Sequence, residues 1–267
     1  MKFDFIEDLK NNGIVKINNF INSQETEKIK KILKFYSAPK GHPDSYFPPN
    51  IKLLFYKVLM LRFTKLKHSI VMLNLSKKKK LNLISDKIFS EKSYLKFIDG
   101  YCSPVSNKDV LPWHTDQAYS GVEKKSVGFV NPDHMHLKFF IYLTNVSSED
   151  GCMSYIPKSH KIGYAIRKAI FEKKIEYAPY WSLKDFRKII SDKKNINILK
   201  NLLNDNNSID KFLEKTRFIE NNGETKEFDY NMNAGGAIIF DEGGVHKGSK
   251  TLHNERVVLR YLYSIQK

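Results

Sequence analysis

The stretch His136-Leu-Lys-Phe-Phe-Ile-Tyr-Leu143 alternates with a period of two. Leu137, Phe139, Ile141 and Leu143 form a wholly apolar face, whereas Lys138, Phe140, Tyr142 and Thr144 form a mixed one. Successive side chains of an extended strand point to opposite sides. The segment therefore reads as a strand with one side on a hydrophobic layer and the other lining something polar. Arg256 to Tyr263 repeats the pattern, with Val257, Leu259, Tyr261 and Tyr263 on one face and Arg256, Val258, Arg260 and Leu262 on the other. Burying an arginine is costly unless it meets an anion. Two strands with polar inner faces predict a barrel with a wet, functional interior.

Outward from these strands the period changes. Residues 1–95 read as mostly helical. Asn22 and Glu25 fit an N-terminal capping box, and Ile29, Ile32, Leu33 and Tyr36 fall at i, i+3, i+4, i+7, one apolar helix stripe. Residues 51–66 form a second candidate helix, begun after Pro48 and Pro49. Between Lys161 and Asn231 the strand signal fades into Lys/Asn/Ile-rich sequence with helical pieces at Leu183–Ile190 and Ile196–Leu203. This stretch, 161–231, is expected to be an insertion that folds over the barrel mouth like a lid. No fixed-period repeat argues for a solenoid. The fold expected is α+β with a mainly β core, one domain over residues 1–267.

A chain of 267 residues can bury a sizeable core. Its 45 basic and 29 acidic residues leave a net charge of +16, which raises nucleic acid, an anionic membrane or an anionic small substrate as partners. The lysines are scattered, however, and the cluster Lys77–Lys80 has no interleaved aromatics on which bases could stack. Compositional bias towards Lys, Asn and Ile accounts for the excess better than nucleic-acid binding does. The most apolar stretch, Ile51 to Phe63, is broken by Lys52, Lys57 and Arg62, so no membrane span is expected. The N-terminus carries Asp4, Glu7 and Asp8 where a signal peptide would carry an apolar block, and the two cysteines, Cys102 and Cys152, read as reduced thiols; a cytoplasmic location is expected.

Chemistry is concentrated in two segments. In Leu111-Pro-Trp-His-Thr-Asp-Gln117, His114 and Asp116 are two apart and share one side of an extended chain. Gly235-Gly-Ala-Ile-Ile-Phe-Asp-Glu-Gly-Gly-Val-His246 reads as turn, buried strand, glycine turn and histidine, and Arg256 follows ten residues later. Two histidines and one carboxylate leave three positions open on an octahedral ion, the facial triad of non-haem Fe(II) oxygenases. Those positions accommodate a bidentate 2-oxo acid and O2. A guanidinium gives the distal carboxylate of 2-oxoglutarate a bidentate, permanently charged partner, and Arg256 stands on an inward-facing position.

The ordered set Asn12-Asn-Gly-Ile-Val-Lys-Ile, Trp113-His-Thr-Asp116, Leu137–Val146 leading to Asp150-Gly-Cys-Met-Ser-Tyr-Ile-Pro-Lys-Ser-His160, and Val245-His-Lys-Gly-Ser249 with Arg256 resembles the phytanoyl-CoA dioxygenase family. The resemblance spans nearly the whole chain except about residues 37–90 and 161–230. It implies a double-stranded β-helix (jelly roll), dependence on Fe(II), 2-oxoglutarate and O2, His114, Asp116 and His246 as iron ligands, and Arg256 as the 2-oxoglutarate anchor. The family's serine two positions after the distal histidine is Gly248 here, with Ser249 next; Ser249 is taken as the 2-oxoglutarate contact. The arginine lies ten rather than eleven residues after that histidine, as a hairpin shortened by one residue would produce.

Lys138 is an inner-face cation that could touch 2-oxoglutarate or substrate, or be a paired core lysine. Tyr101, Gln117 and Arg260 are candidate substrate contacts, and Arg260 could equally form a salt bridge with an inward acid. His134 and His136 follow Gly128 with the spacing of a cupin metal motif, but no glutamate completes it. His160 reads as structural and Trp113 as packing. Asp116 argues against halogenation, which needs that position vacated for chloride. Hydroxylation of a small, anionic or zwitterionic metabolite is the activity expected, with release of succinate and CO2. The competing readings are a zinc hydrolase on the same three ligands and a non-enzymatic basic nucleic-acid-binding protein.

Overall fold

The computed structural model describes residues 4–36, 63–116, 135–220, 223 and 225–265. The predicted helix over 51–66 lies outside these residues except at its end; the helix described there is Phe63–Lys78. Gln117, Gly128 and His134 also lie outside them.

Two antiparallel sheets face each other. The larger has the order β1 (Ile14–Ile17), β7 (Ala237–Asp241), β4 (His136–Tyr142), β9 (Arg256–Ser264) and β2 (Tyr94–Ser103). The smaller has the order β3 (Ser106–His114), β8 (His246–Thr251), β5 (Met153–Tyr155) and β6 (Asp229–Tyr230). This is the jelly-roll arrangement expected from the sequence.

The alternation along β4 and β9 sorts two hydrophobic layers. Leu137, Phe139, Ile141, Val257, Leu259, Tyr261 and Tyr263 face outward onto the N-terminal helices α1 (Ile6–Asn12), α2 (Ser23–Tyr36), α3 (Phe63–Lys78) and α4 (Leu81–Phe89). Each fully buried aliphatic or phenyl group of this layer contributes about 1.5–3 kcal/mol. Phe140, Tyr142, Phe240 and Val258 face inward and meet Cys152, Met153 and Tyr155 of the smaller sheet. Helix α2 starts as predicted: Glu25 N–H donates to Asn22 Oδ1 at 2.8 Å and Asn22 N–H to Glu25 Oε2 at 3.1 Å.

Residues 159–220 carry helices α5 (Ser159–Phe171), α6 (Leu183–Ser191), α7 (Lys193–Leu203) and α8 (Ser208–Glu220). Their apolar faces share a core of their own, including Ile166, Phe186, Leu199 and Phe212, with Ile156 and Val245 of the β framework joining it. Neither Cys102 nor Cys152 is in a disulfide. Among the described residues no helix is long and apolar enough to cross a membrane.

Candidate metal and co-substrate site

Strands β3 and β8 pair so that His114 stands directly opposite His246. Their rings are 4.3 Å apart between centroids. Antiparallel pairing thus joins two histidines separated by more than a hundred residues. Asp116 follows the end of β3, and its own N–H donates to the Glu242 carbonyl at 3.1 Å. The Thr115 hydroxyl donates to the carbonyls of Glu242 and Gly243 at 3.3 and 3.1 Å. The end of β3 that carries His114 is therefore fastened onto the very turn that presents His246.

The turn requires Gly244. A Cβ on Gly244 would sit 1.9 Å from the Tyr155 hydroxyl, and that ring is stacked on His246 at 6.3 Å. From the other side, Thr115 N–H donates to the Trp181 carbonyl at 2.9 Å, His114 pairs with Ser182, and the Trp181 ring lies 5.1 Å from that of His114. Ser182 caps α6, accepting from Asp185 N–H at 3.2 Å.

His114, Asp116 and His246 bring one ligand atom each to within 4.8 Å of one another. Both Nδ1 atoms are tied to main-chain carbonyls two residues earlier, His114 to Pro112 at 2.6 Å and His246 to Gly244 at 2.9 Å. These bonds fix the tautomer and leave each Nε2 with a lone pair aimed inward. His246 Nε2 lies 3.1 Å from Asp116 Oδ2 and His114 Nε2 lies 3.5 Å from Oδ1. His114 Nε2 is buried without a hydrogen-bond partner among the described residues. Burial and the neighbouring His114 hold the His246 imidazole below its ordinary value, so it is neutral and able to ligate. Burial pushes the Asp116 carboxyl up, but the Lys138 ammonium outweighs it and holds the carboxyl well below the usual carboxylate range. An orphaned buried nitrogen, two pre-set tautomers and an ionised carboxylate fit a divalent transition metal.

The same cavity, about 540 Å³, is lined by Arg256, Tyr101, Arg260, Lys138, Phe140 and Met153 beside the triad. Arg256 is only 2% exposed. Its Nη1 donates to the Gly151 carbonyl at 3.1 Å, its Cζ lies 5.1 Å from the centre of the Tyr101 ring, and its Nε has no hydrogen-bond partner among the described residues. A Cβ on Gly151 would meet Arg256 Cδ at 2.9 Å, so the glycine of Asp150-Gly-Cys makes room for the arginine. Charged donors held in reserve are what an incoming carboxylate needs.

The remaining expectations fall out differently. Arg260 is paired with Asp99, with Nε 2.7 Å from Oδ1 and Nη2 on Oδ2, so its salt-bridge reading describes the geometry. Lys138 lies 2.5 Å from Asp116 Oδ2 and 2.9 Å from Glu242 Oε2. Ser249 is not brought to the cavity wall: its hydroxyl lies 3.2 Å from that of Ser154 and 3.6 Å from Cys152 Sγ. Alternation along β8 from His246 gives the inward position to Gly248, which lines the cavity. Trp113 packs edge-on against Phe228 and His160 Nε2 bonds to the Lys10 carbonyl, both structural.

Glu242 was not singled out from the sequence. It is 5% exposed and binds both Lys138 and His136. The only signal in the sequence was an acid directly before the glycine turn.

The family model of phytanoyl-CoA dioxygenase matches residues 9–254. Among solved structures, HygX from Streptomyces hygroscopicus with nickel and 2-oxoglutarate bound is 14% identical, covers 100% of this chain and 88% of its own, and gives a TM-score of 0.57. The epimerase SnoN, in complex with Fe3+, alpha-ketoglutarate and nogalamycin RO, is 12% identical over 98% of this chain and 84% of its own, with a TM-score of 0.53. EvdO2 from Micromonospora carbonacea var. aurantiaca is 12% identical over 99% of this chain and 91% of its own, with a TM-score of 0.52. At such identities the likeness is one of fold. No curated protein sequence matches the chain. Matched over all but its ends by the family model, the chain belongs to the phytanoyl-CoA dioxygenase family of Fe(II)/2-oxoglutarate-dependent enzymes.

Proposed function

We propose that the enzyme hydroxylates a small anionic or zwitterionic metabolite, with Fe(II) held by His114, Asp116 and His246 and 2-oxoglutarate anchored by Arg256. The observation that carries this reading is one cavity lined by both Arg256 and His114, whose Nε and Nε2 have no hydrogen-bond partner among the described residues. When bound, Fe(II) with 2-oxoglutarate supplies the oxidising chemistry, coupling O2 to formation of succinate and CO2. The chain's own residues do the positioning. The two main-chain carbonyls keep both imidazoles in the ligating tautomer. Arg256 orients the distal carboxylate of the co-substrate, with Tyr101 packed against its guanidinium. Phe140 and Met153 keep the floor of the cavity dry.

The size of the cavity supports a small substrate, because co-substrate and substrate must share about 540 Å³. Its wall carries charges of both signs in the pairs Arg260–Asp99 and Lys247–Asp109, together with Lys108, which suits a zwitterion or an anion. Gln117 and Tyr101 remain proposed substrate contacts. We further propose that the chain works as one domain in the cytoplasm, with residues 161–231 forming a helical roof beside the metal site; the Trp181 and Ser182 contacts support this. A zinc hydrolase on the same ligands would need a free general base, whereas Glu242 is committed to Lys138 and His136.

The test is anaerobic addition of Fe(II) and 2-oxoglutarate, followed by exposure to O2. A visible charge-transfer band and succinate release are expected from the wild type, and neither from His114→Ala. Stoichiometric zinc with no band, or full turnover in His114→Ala, overturns the reading.

A further inference from the structure

Tyr142 is fully buried, yet its hydroxyl has no hydrogen-bond partner among the described residues. Leaving a buried hydroxyl unbonded is costly, so its place needs a reason. Burial pushes this hydroxyl up from its ordinary value, so it keeps its proton and acts as a donor. The strand register places it beside Arg256. Tyr142 of β4 lies opposite Val258 of β9, and Tyr101 of β2 lies opposite the same Val258 from the other side. Arg256 precedes Val258 by two residues and shares its inner face. Arg256 is thus the diagonal neighbour of both tyrosines, a separation that long and aromatic side chains span. Tyr101 meets the guanidinium with its ring, 5.1 Å from Cζ to the ring centre. Tyr142 comes from the other flank of β9, near enough for the Arg256 charge to act on its hydroxyl. Arg256 and Phe140, the preceding inward residue of β4, both line the cavity.

A carboxylate brought to Arg256 has room for more donors than the guanidinium supplies. Its two oxygens accept about four hydrogen bonds, and Arg256 Nη1 already donates to the Gly151 carbonyl. Strand β8 adds no side-chain donor here. Its inward position is Gly248, where a Cβ would stand 3.2 Å from Arg256 Nη1. Ser249 is turned instead to Ser154 and Cys152. Beside Arg256, the buried hydroxyl still without a partner among the described residues is that of Tyr142.

We propose that the Tyr142 hydroxyl donates a hydrogen bond to the distal carboxylate of 2-oxoglutarate, completing from β4 the hold that Arg256 begins from β9. The inference rests on the reading of Arg256 as the co-substrate anchor.

The test is calorimetric titration of 2-oxoglutarate into the Co(II)-loaded full chain, with thermal unfolding of the ligand-free chain beside it. Tyr142→Phe removes a single oxygen and is expected to weaken 2-oxoglutarate binding roughly 10- to 100-fold. Ligand-free, this variant is expected to melt no lower than the wild type, because the lost hydroxyl had no partner in the fold. The control probe is 2-oxobutyrate, which has the same chelating end and no distal carboxylate; the wild type and Tyr142→Phe are expected to treat it alike. Wild-type affinity for 2-oxoglutarate in Tyr142→Phe overturns the inference, as does an equal loss for both 2-oxo acids. A Tyr142→Phe chain that melts several degrees lower, or does not fold, also overturns it, since the hydroxyl is then spent on the fold. Arg256→Met separates this inference from the reading beneath it. If that variant binds 2-oxoglutarate as the wild type does, or if the wild type binds none, the anchor falls and this inference with it. If Arg256→Met binds weakly while Tyr142→Phe binds normally, this inference alone falls.

Discussion

Replacing Arg256 by methionine separates what the guanidinium does for the fold from what it does for the co-substrate. The side chain is 2% exposed, yet no carboxylate of the described residues pairs with it. One hydrogen bond to Gly151 at 3.1 Å and the face of Tyr101 are its visible compensation. Removing it loses that charged hydrogen bond, about 1.5–3 kcal/mol, and the ring contact, about 0.5–2 kcal/mol. Against this, burial of the unpartnered Nε–H is relieved, about 1–3 kcal/mol and more when charged. The terms nearly cancel, so the ligand-free variant is expected to melt within a few degrees of the wild type, at about 2–4 °C per kcal/mol. Loss of a buried, hydrogen-bonded charge pair with 2-oxoglutarate costs about 2–5 kcal/mol. That corresponds to roughly 30-fold to several thousand-fold in affinity. The assay is thermal unfolding with Co(II), with and without 2-oxoglutarate, backed by calorimetric titration of the co-substrate. The wild type is expected to gain stability from 2-oxoglutarate and Arg256→Met to gain none. A variant that keeps the full gain refutes Arg256 as the anchor. A collapse of the ligand-free variant refutes the near-cancellation.

Two further outcomes follow from packing and burial. Gly244→Ala would place a methyl 1.9 Å from the Tyr155 hydroxyl; a loss of about 1–3 kcal/mol in urea unfolding and weaker Co(II) binding are expected, and wild-type values for both would show that Tyr155 does not brace His246. Burial pushes the Cys152 thiol up from 9.0 to about 12 and the Tyr263 hydroxyl up from 10.0 to about 12. The folded state then keeps protons that the unfolded chain releases, so this stability is full below about pH 9 and is lost as pH rises through 12. Denaturation midpoints that stay flat from pH 9 to 11 would contradict it, as would rapid alkylation of Cys152 in the folded protein at pH 8.5.

The parts of the site readable in advance were those set by local periodicity. Alternation along 136–143 and 256–263 separated the face under the helices from the face in the cavity, because a strand's pleat has no other option. Asn22 and Glu25 marked a helix start for an equally local reason. His114, Asp116 and His246 were readable as residue types, although only strand pairing explains how they meet. Ser249 illustrates a conflict between sequence likeness and pleat: counting by twos from His246 gives Gly248, and the structure follows the count. Glu242 was hidden because its partner Lys138 is on another strand, and nothing near either residue announces an ion pair. Trp181 and Ser182 were hidden as well, lying between helices in a stretch without period, where contact with β3 depends on the tertiary arrangement alone.

That contact has a consequence for how molecules reach the metal. The main chain at Trp181 and Ser182 is stitched to His114 and Thr115. Lifting these helices like a hinged door would tear these bonds and displace His114, the proposed ligand. Pro104, Lys108, Val110 and Leu111, on β3 and the approach to it, also line the cavity. Substitutions in that short stretch are expected to change which guest the cavity takes while leaving His114, Asp116 and His246 in place.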